Sequence, residues 1–210
     1  MKSKTILLLI LTFPLWGLGG LSCSKNDAVT DPKAQLPPET QVGANTFGVT
    51  INGKVYVPRD PTGTITGPTS KGMILWGISD ASWNELEIKD GKSSVGFQMF
   101  IHIQNLLSIG VGTYNLKQSN FQNSIDSIPF PHIYFKIWDN KISNYAYYGS
   151  IENEGQINII RFNGSLTSPW ILSGNFKGKF VRYDNPNDFI TITDGRFDLN
   201  LNTLPTHSFP

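Results

Sequence analysis

The chain has 210 residues, of which 39% are hydrophobic, 16% charged and 12% aromatic, with 20 Gly, 13 Pro and a single Cys. Ordinary globular chains carry about 25% charged residues, so this one is charge-poor, and its glycines and aromatics favour β structure. Lys+Arg 17 against Asp+Glu 16 excludes a strongly basic nucleic-acid binder and an acidic tail, and one Cys excludes an internal disulfide framework or a multi-Cys zinc site.

Residues 1–22 read as a signal peptide. Lys2 and Lys4 form a positive start, and Thr5 to Leu21 is apolar apart from small residues and Pro14. At about 1.5 Å per residue that run spans roughly 26 Å, marginal for a membrane helix but suited to secretion. The run stops at Ser22-Cys23. It resembles a bacterial lipoprotein signal, although Gly20 and Leu21 differ from the residues usual there. The resemblance implies that Cys23 becomes the new N-terminus and carries the lipid, on the periplasmic or cell-surface face of an outer membrane. Each buried CH₂ contributes about 0.8 kcal/mol, so two or more acyl chains hold stably. Losing Lys2 and Lys4 leaves a chain with one more acidic than basic residue.

The stretch 23–45 follows as a lipidated Cys and flexible tether. Ser24 to Ala44 has three Pro, no aromatic residue and no hydrophobic period, so it buries too little apolar surface to offset the entropy of ordering.

Residues 46–210 read as one all-β domain, an antiparallel sandwich or barrel-like fold of nine to eleven strands. Asn52-Gly53, Asp90-Gly91 and Asn163-Gly164 each mark a hairpin between alternating runs. In 95–104 the odd residues Val95, Phe97, Met99, Ile101 and Ile103 point inward. Residues 116–130 form a loop with at most a short helical turn. In 132–138, Ile133, Phe135 and Ile137 point inward, leaving His132, Tyr134, Lys136 and Trp138 outward. In 170–182 the even residues Trp170, Leu172, Phe176 and Phe180 pack, with Gly174 and Gly178 among them marking curvature or close approach of another strand. The last strand changes parity between Ile190/Ile192 and Phe197/Leu199/Leu201, which predicts a bulge at Asp194-Gly195.

Leu36 to Gly48 with Asn52-Gly53-Lys54, then Gly112-Thr113-Tyr114, Ser173 to Phe176 and Ile192 to Asp198, resemble the landmarks of a family of uncharacterised Bacteroidetes lipoproteins. Relatives in that family often carry a Cys soon after the Thr-Phe-Gly, where this chain has Val49-Thr50. The resemblance implies a membrane-anchored all-β domain and supplies neither an activity nor a catalytic residue.

Several groups have the residue types for chemistry. Glu85/Glu87 and Glu152/Glu154 are carboxylate pairs at i,i+2, about 7 Å apart on one strand face. Neighbours on one strand point the same way, whereas glycosidase carboxylates flank a substrate, so a solvated face is expected. His102 and His132 share an outward parity and would meet if their strands pair, which is the start of a zinc site. A Ser-His-Asp triad would have to use His102, His132 or His207. Asp184 and Asp188 in Asp-Asn-Pro-Asn-Asp offer oxygens to Ca²⁺, although these are also ordinary turn residues. Phe100, Tyr134 and Trp138, with Tyr145, Tyr147 and Tyr148 nearby, form the candidate ligand face. Flat rings beside amides hold sugars, unless a second layer or a loop covers them. The expected function is a lipid-anchored envelope module that binds a glycan or an envelope protein, or is purely structural, with no catalytic residue assigned. A hydrolase would require His or carboxylates converging from different strands.

Overall fold

The computed structural model describes residues 35–62, 71–77, 82–165 and 168–210. The signal segment and Cys23 lie outside the described residues. Ten strands form one open antiparallel sheet: β1 Thr46–Ile51, β2 Lys54–Tyr56, β3 Met73–Trp76, β4 Trp83–Lys89, β5 Gln98–Gln104, β6 Gly112–Asn115, β7 His132–Asp139, β8 Asn144–Ser165, β9 Ser168–Arg182 and β10 Asn185–Asn200. Their order is β2-β1-β10-β9-β8-β7-β5-β4-β3. β8 is the branch point. β7 pairs with its first half and β6 with its second, while β9 lines its other edge.

The strand parities follow the hydrophobic period, except that Val95, expected inward, is exposed because it precedes β5, which begins at Gln98. Met99, Ile101, Ile103, Ile133 and Phe135 are fully buried, and Leu172, Phe176 and Phe180 meet them from the long strands. Trp170 instead stays 39% exposed at the start of β9, because it lies at the end of the sheet. Asn52 and Gly53, at φ 50° and 75°, make the two-residue hairpin turn. The other two hairpins are placed differently. Asp90-Gly91 opens a longer connection, since Lys89 already pairs with Gln98 and Asp90 is occupied by the Arg59 guanidinium at 2.6 Å. Asn163-Gly164 lies inside β8.

Curvature is concentrated in β8–β10. Register shifts fall between Ser150 and Gly155 in β8 and between Ile192 and Gly195 in β10, the latter at the expected bulge. Gly155 and Gly178 face each other so closely that a Cβ on Gly178 would lie 3.1 Å from the Gly155 Cα. At Gly195 any Cβ would enter the Phe176 ring, which covers the glycine in place of a side chain.

Bending brings the ends of the sheet together. The Tyr56 ring of β2 lies 4.6 Å from that of Phe97, which leads into β5. The segment after β2 crosses to β4, where the Arg59 N–H donates to the Lys89 carbonyl at 3.1 Å and the Gly91 N–H donates to that of Arg59 at 2.8 Å. The unit from Lys33 to Pro210 is thus compact, with its own core. Among the described residues no helix is long and apolar enough to cross a membrane.

Residues 37–44, expected to be flexible, are held on β9 and β10: Arg196 bonds the Pro37 carbonyl, Asn175 bonds Glu39, and residues 40–44 meet the carboxylate of Asp198, itself only 1% exposed. That carboxylate accepts hydrogen bonds from Thr40 Oγ1 (2.6 Å), the Val42, Gly43 and Ala44 N–H groups (3.0, 2.8 and 3.2 Å) and Ser173 Oγ (2.5 Å). Arg161 adds a 2.6 Å bond to the Gln41 carbonyl. Polar contacts, which a count of apolar residues does not register, order this strap. Burial alone would raise the Asp198 pKa, but the bonds from Ser173, Thr40 and the two amides outweigh it and hold the carboxyl below its usual range.

A lowered carboxylate pKa stabilises the fold above the unfolded value of about 3.9 and ceases to do so as pH falls through the folded one. Asp198→Asn is therefore expected to cost about 1.5–3 kcal/mol at pH 7, read from urea unfolding. The gap between variant and parent should close on acidification.

Candidate functional site

The outward face of β4, β5 and β7 carries most of the groups suited to chemistry, and it is covered. The segment 116–131, with one 3₁₀ turn at Ser124–Asp126, lies across it. Glu85 is completely buried, His102 is 2% exposed and His132 is completely buried. The Ser124 N–H donates to both Glu85 oxygens, at 3.2 and 3.1 Å. His102 Nδ1 lies 3.3 Å from Glu85 Oε2, and its Nε2 lies 3.4 Å from Gln104 Oε1. The expected solvated face for Glu85 is thus replaced by a sealed one, because the loop supplies a main-chain donor to the carboxylate.

His102 and His132 do pair in register, as their parity suggested. Their rings stack at 4.9 Å and 27°, with Trp83 stacked on the far side of His102 at 5.7 Å. Stacked imidazoles run their nitrogens alongside one another instead of aiming them at a common point. His132 Nδ1 faces the Phe130 carbonyl at 3.0 Å and Nε2 faces that of Gln122 at 3.4 Å. Among the described residues no cluster of three or more His, Cys, Asp or Glu is arranged to hold a metal.

The aromatic candidates separate. Phe100 and Tyr134 are each 8% exposed and stack on one another at 4.9 Å and 14°. Phe121 of the covering loop lies 6.2 Å from Tyr134. These two rings are therefore packed, contrary to their reading as part of an open ligand face. Trp138 is half-buried and meets Tyr145 edge to face at 5.5 Å and 86°. Tyr147 is exposed, whereas Tyr148 is buried with its hydroxyl donating to Asp188 at 3.3 Å.

Asp184 and Asp188 already have a cation. The Arg182 guanidinium lies 2.6 Å from Asp184, 3.0 Å from Asp139 and 3.3 Å from Asp188. The hydrogen bond to Asp184 leads in raising the Arg182 pKa, so the guanidinium stays charged where Ca²⁺ was considered. Glu87 accepts from Trp76 Nε1 and Gln98 Nε2, and Glu152 is exposed and paired with Lys117.

Among the cavities lined by described residues are two of about 360 Å³ each. One is a polar groove on β8–β10, where Asn158 Nδ2 donates to Asn175 Oδ1 and Asn175 Nδ2 donates to Glu39, at 2.9 and 2.6 Å. The other is apolar and opens at one end of the sheet, between β3, β4, β8, β9 and the short helix α1 Leu106–Ile109. Leu75, Leu106, Phe162, Trp170 and Leu201 line it, together with the amide of Asn84. Asn84 escaped the sequence reading although a signal was present. With Glu85 and Glu87 on one face, Asn84 falls on the parity of Leu86 and Ile88, a lone amide among core residues.

The site and fold define a curved all-β domain whose titratable clusters are built into its structure and which carries one apolar and one polar cavity. The chain belongs to the DUF5025 family, described as a domain of unknown function, whose family model matches residues 45–200. Neither the curated proteins nor the solved structures gave a match.

Burial pushes the His132 pKa down, and His102 beside it adds to this, against the opposing bond to Phe130. The unfolded chain then binds a proton that the folded one refuses, so stability falls as pH drops below about 6.5. His132→Gln should flatten that part of the pH profile, read as urea midpoints between pH 7.5 and 5. An equal slope in both proteins would remove His132 from this role.

Proposed function

We propose that the chain is a lipoprotein of the outer membrane of the Bacteroidetes type, held by an acylated Cys23, whose β domain is a binding module and not a catalyst. The observation that carries the binding role is the apolar cavity at the end of the sheet. A volume of about 360 Å³ falls within the roughly 300–1,000 Å³ of small-molecule sites. The commitment of Glu85 and His132 to the covering loop, and of His102 to Glu85 and Gln104, supports a non-catalytic reading, since each faces protein partners already. The anchoring role rests on Lys2, Lys4, the apolar run and Ser22-Cys23. Because the strap is held from residue 37 onward, Ser24 to Leu36 is all that remains as tether, a maximal reach of about 45 Å at 3.3–3.6 Å per residue.

Glycan binding is the second reading, and the groove bearing Asn158 and Asn175 favours it. It ranks behind the first because Phe100 and Tyr134 are stacked under cover, which leaves Trp138 as the one ring of the three with an open side.

Anchoring is tested by expressing the full chain in a Gram-negative host fed an alkyne fatty acid. The parent should take up label and sediment with membranes, and Cys23→Ser should do neither. An unlabelled parent, or equal label on both proteins, would remove the lipid anchor.

A further inference from the structure

Asn84 is 3% exposed and its Nδ2 donates to the Gly77 carbonyl at 2.7 Å. Its Oδ1 is the one buried side-chain polar atom among the described residues that has no hydrogen-bond partner. An amide oxygen left so costs about 1–3 kcal/mol, and a Leu or Val would fit the core parity of β4 without that penalty. The same residue is one of two polar members of the cavity lining, set among Leu75, Leu106 and Leu201; the other, Asn202, already accepts from the Trp170 N–H through its Oδ1. At the mouth, Leu107 is 47% exposed and Trp170 39% exposed, an apolar rim that faces solvent. The Phe162 ring continues that rim inward, 5.7 Å from Trp170.

We infer that this cavity is a binding site for a small neutral amphiphile, an apolar body carrying one hydroxyl or N–H donor that pairs with Asn84 Oδ1. The inference deepens the binding-module reading and rests on it. The lining contains no charged side chain, so a carboxylate or phosphate entering it would lose its hydration without a counter-charge. An apolar body without a donor would leave Oδ1 unpaired. A ligand donor that reaches Oδ1 supplies the bond that the protein itself does not. Entry lies at the Leu107–Trp170 rim, and the backbone behind it is held by the Trp170 N–H bond to Asn202 Oδ1 and the Leu201 N–H bond to the Trp170 carbonyl, both 2.8 Å.

The test uses residues 24–210, which contain the whole compact unit and whose cooperative folding is first established by a thermal melt, with 1-decanol and its methyl ether as probes. The two share an alkyl chain, and the first alone can donate a hydrogen bond. Binding is followed by Trp fluorescence and by the Asn84 side-chain amide resonance. The alcohol should saturate one site and bind about five- to tenfold more tightly than the ether. Asn84→Leu should abolish that preference while still binding the ether, and Leu201→Trp, which fills the cavity, should bind neither. Thermal melts of both variants establish that they are folded, and if Asn84→Leu is not, Asn84→Ala, which also lacks the acceptor, serves in its place. Equal affinity of the parent for alcohol and ether, or no saturable binding of either, would overturn the inference. Acyl labelling of Cys23 is read independently, so an empty cavity on a labelled protein would count against the ligand site and not against anchoring.

Discussion

A single sheet with one greasy face has nothing to bury it against except itself, and this constraint shapes the whole molecule. Flat, the inner face that carries Met99, Phe135, Phe176 and Phe197 would lie in water. The long strands β8, β9 and β10 bend so that it does not. They bend where side chains are absent, at Gly155 against Gly178 and at Gly195 beneath the Phe176 ring, and where the ladder slips. Each of these positions would weaken a flat strand. In a sheet that must double over they are what allows the turn, and the aromatic ring restores the burial that glycine forgoes.

Two consequences follow at the margins. The connection after β2 has to cross from one end of the sheet to the other, and it does so with Arg59 clasping Asp90 and the main chain hydrogen-bonding across. One end of the curved sheet also remains less filled, bounded by α1, Trp170 and Leu201 in place of another strand, and there the apolar cavity stands. The cavity is thus a by-product of incomplete filling at that end of the sheet.

The outer face obeys a different rule. It is covered by irregular chain, which must have its N–H groups satisfied. Buried acids supply the acceptors: Glu85 for the loop at Ser124 and Asp198 for the strap at Val42 to Ala44. This explains why residues of the types used in catalysis are buried beneath irregular chain. It also marks what was legible in the sequence. The inward parity of β5 and β7, the packing of Leu172, Phe176 and Phe180, the close approach at Gly178 and the bulge at Asp194-Gly195 all follow from period-two patterning, which reports burial directly. Periodicity is silent about what lies on top of a strand's polar side. Phe100 and Tyr134 therefore read as open, and residues 37–44 read as free tether. Asp198 carries no sign of its five partners in its neighbours along the chain. Asn84 was readable from its parity, but its missing partner was not, since that depends on four distant segments meeting at one end.

Closure of the sheet is the claim on which cavity, strap and covering loop all depend, and a double-mutant cycle on Arg59 and Asp90 tests it most directly. Unfolding free energies are measured for the parent, Arg59→Ala, Asp90→Ala and the double variant. A clasp joining the two ends predicts that the paired loss falls short of the summed single losses by about 1–2 kcal/mol. Additivity to within about 0.3–0.5 kcal/mol would mean that the two side chains do not meet in solution and that the sheet does not close.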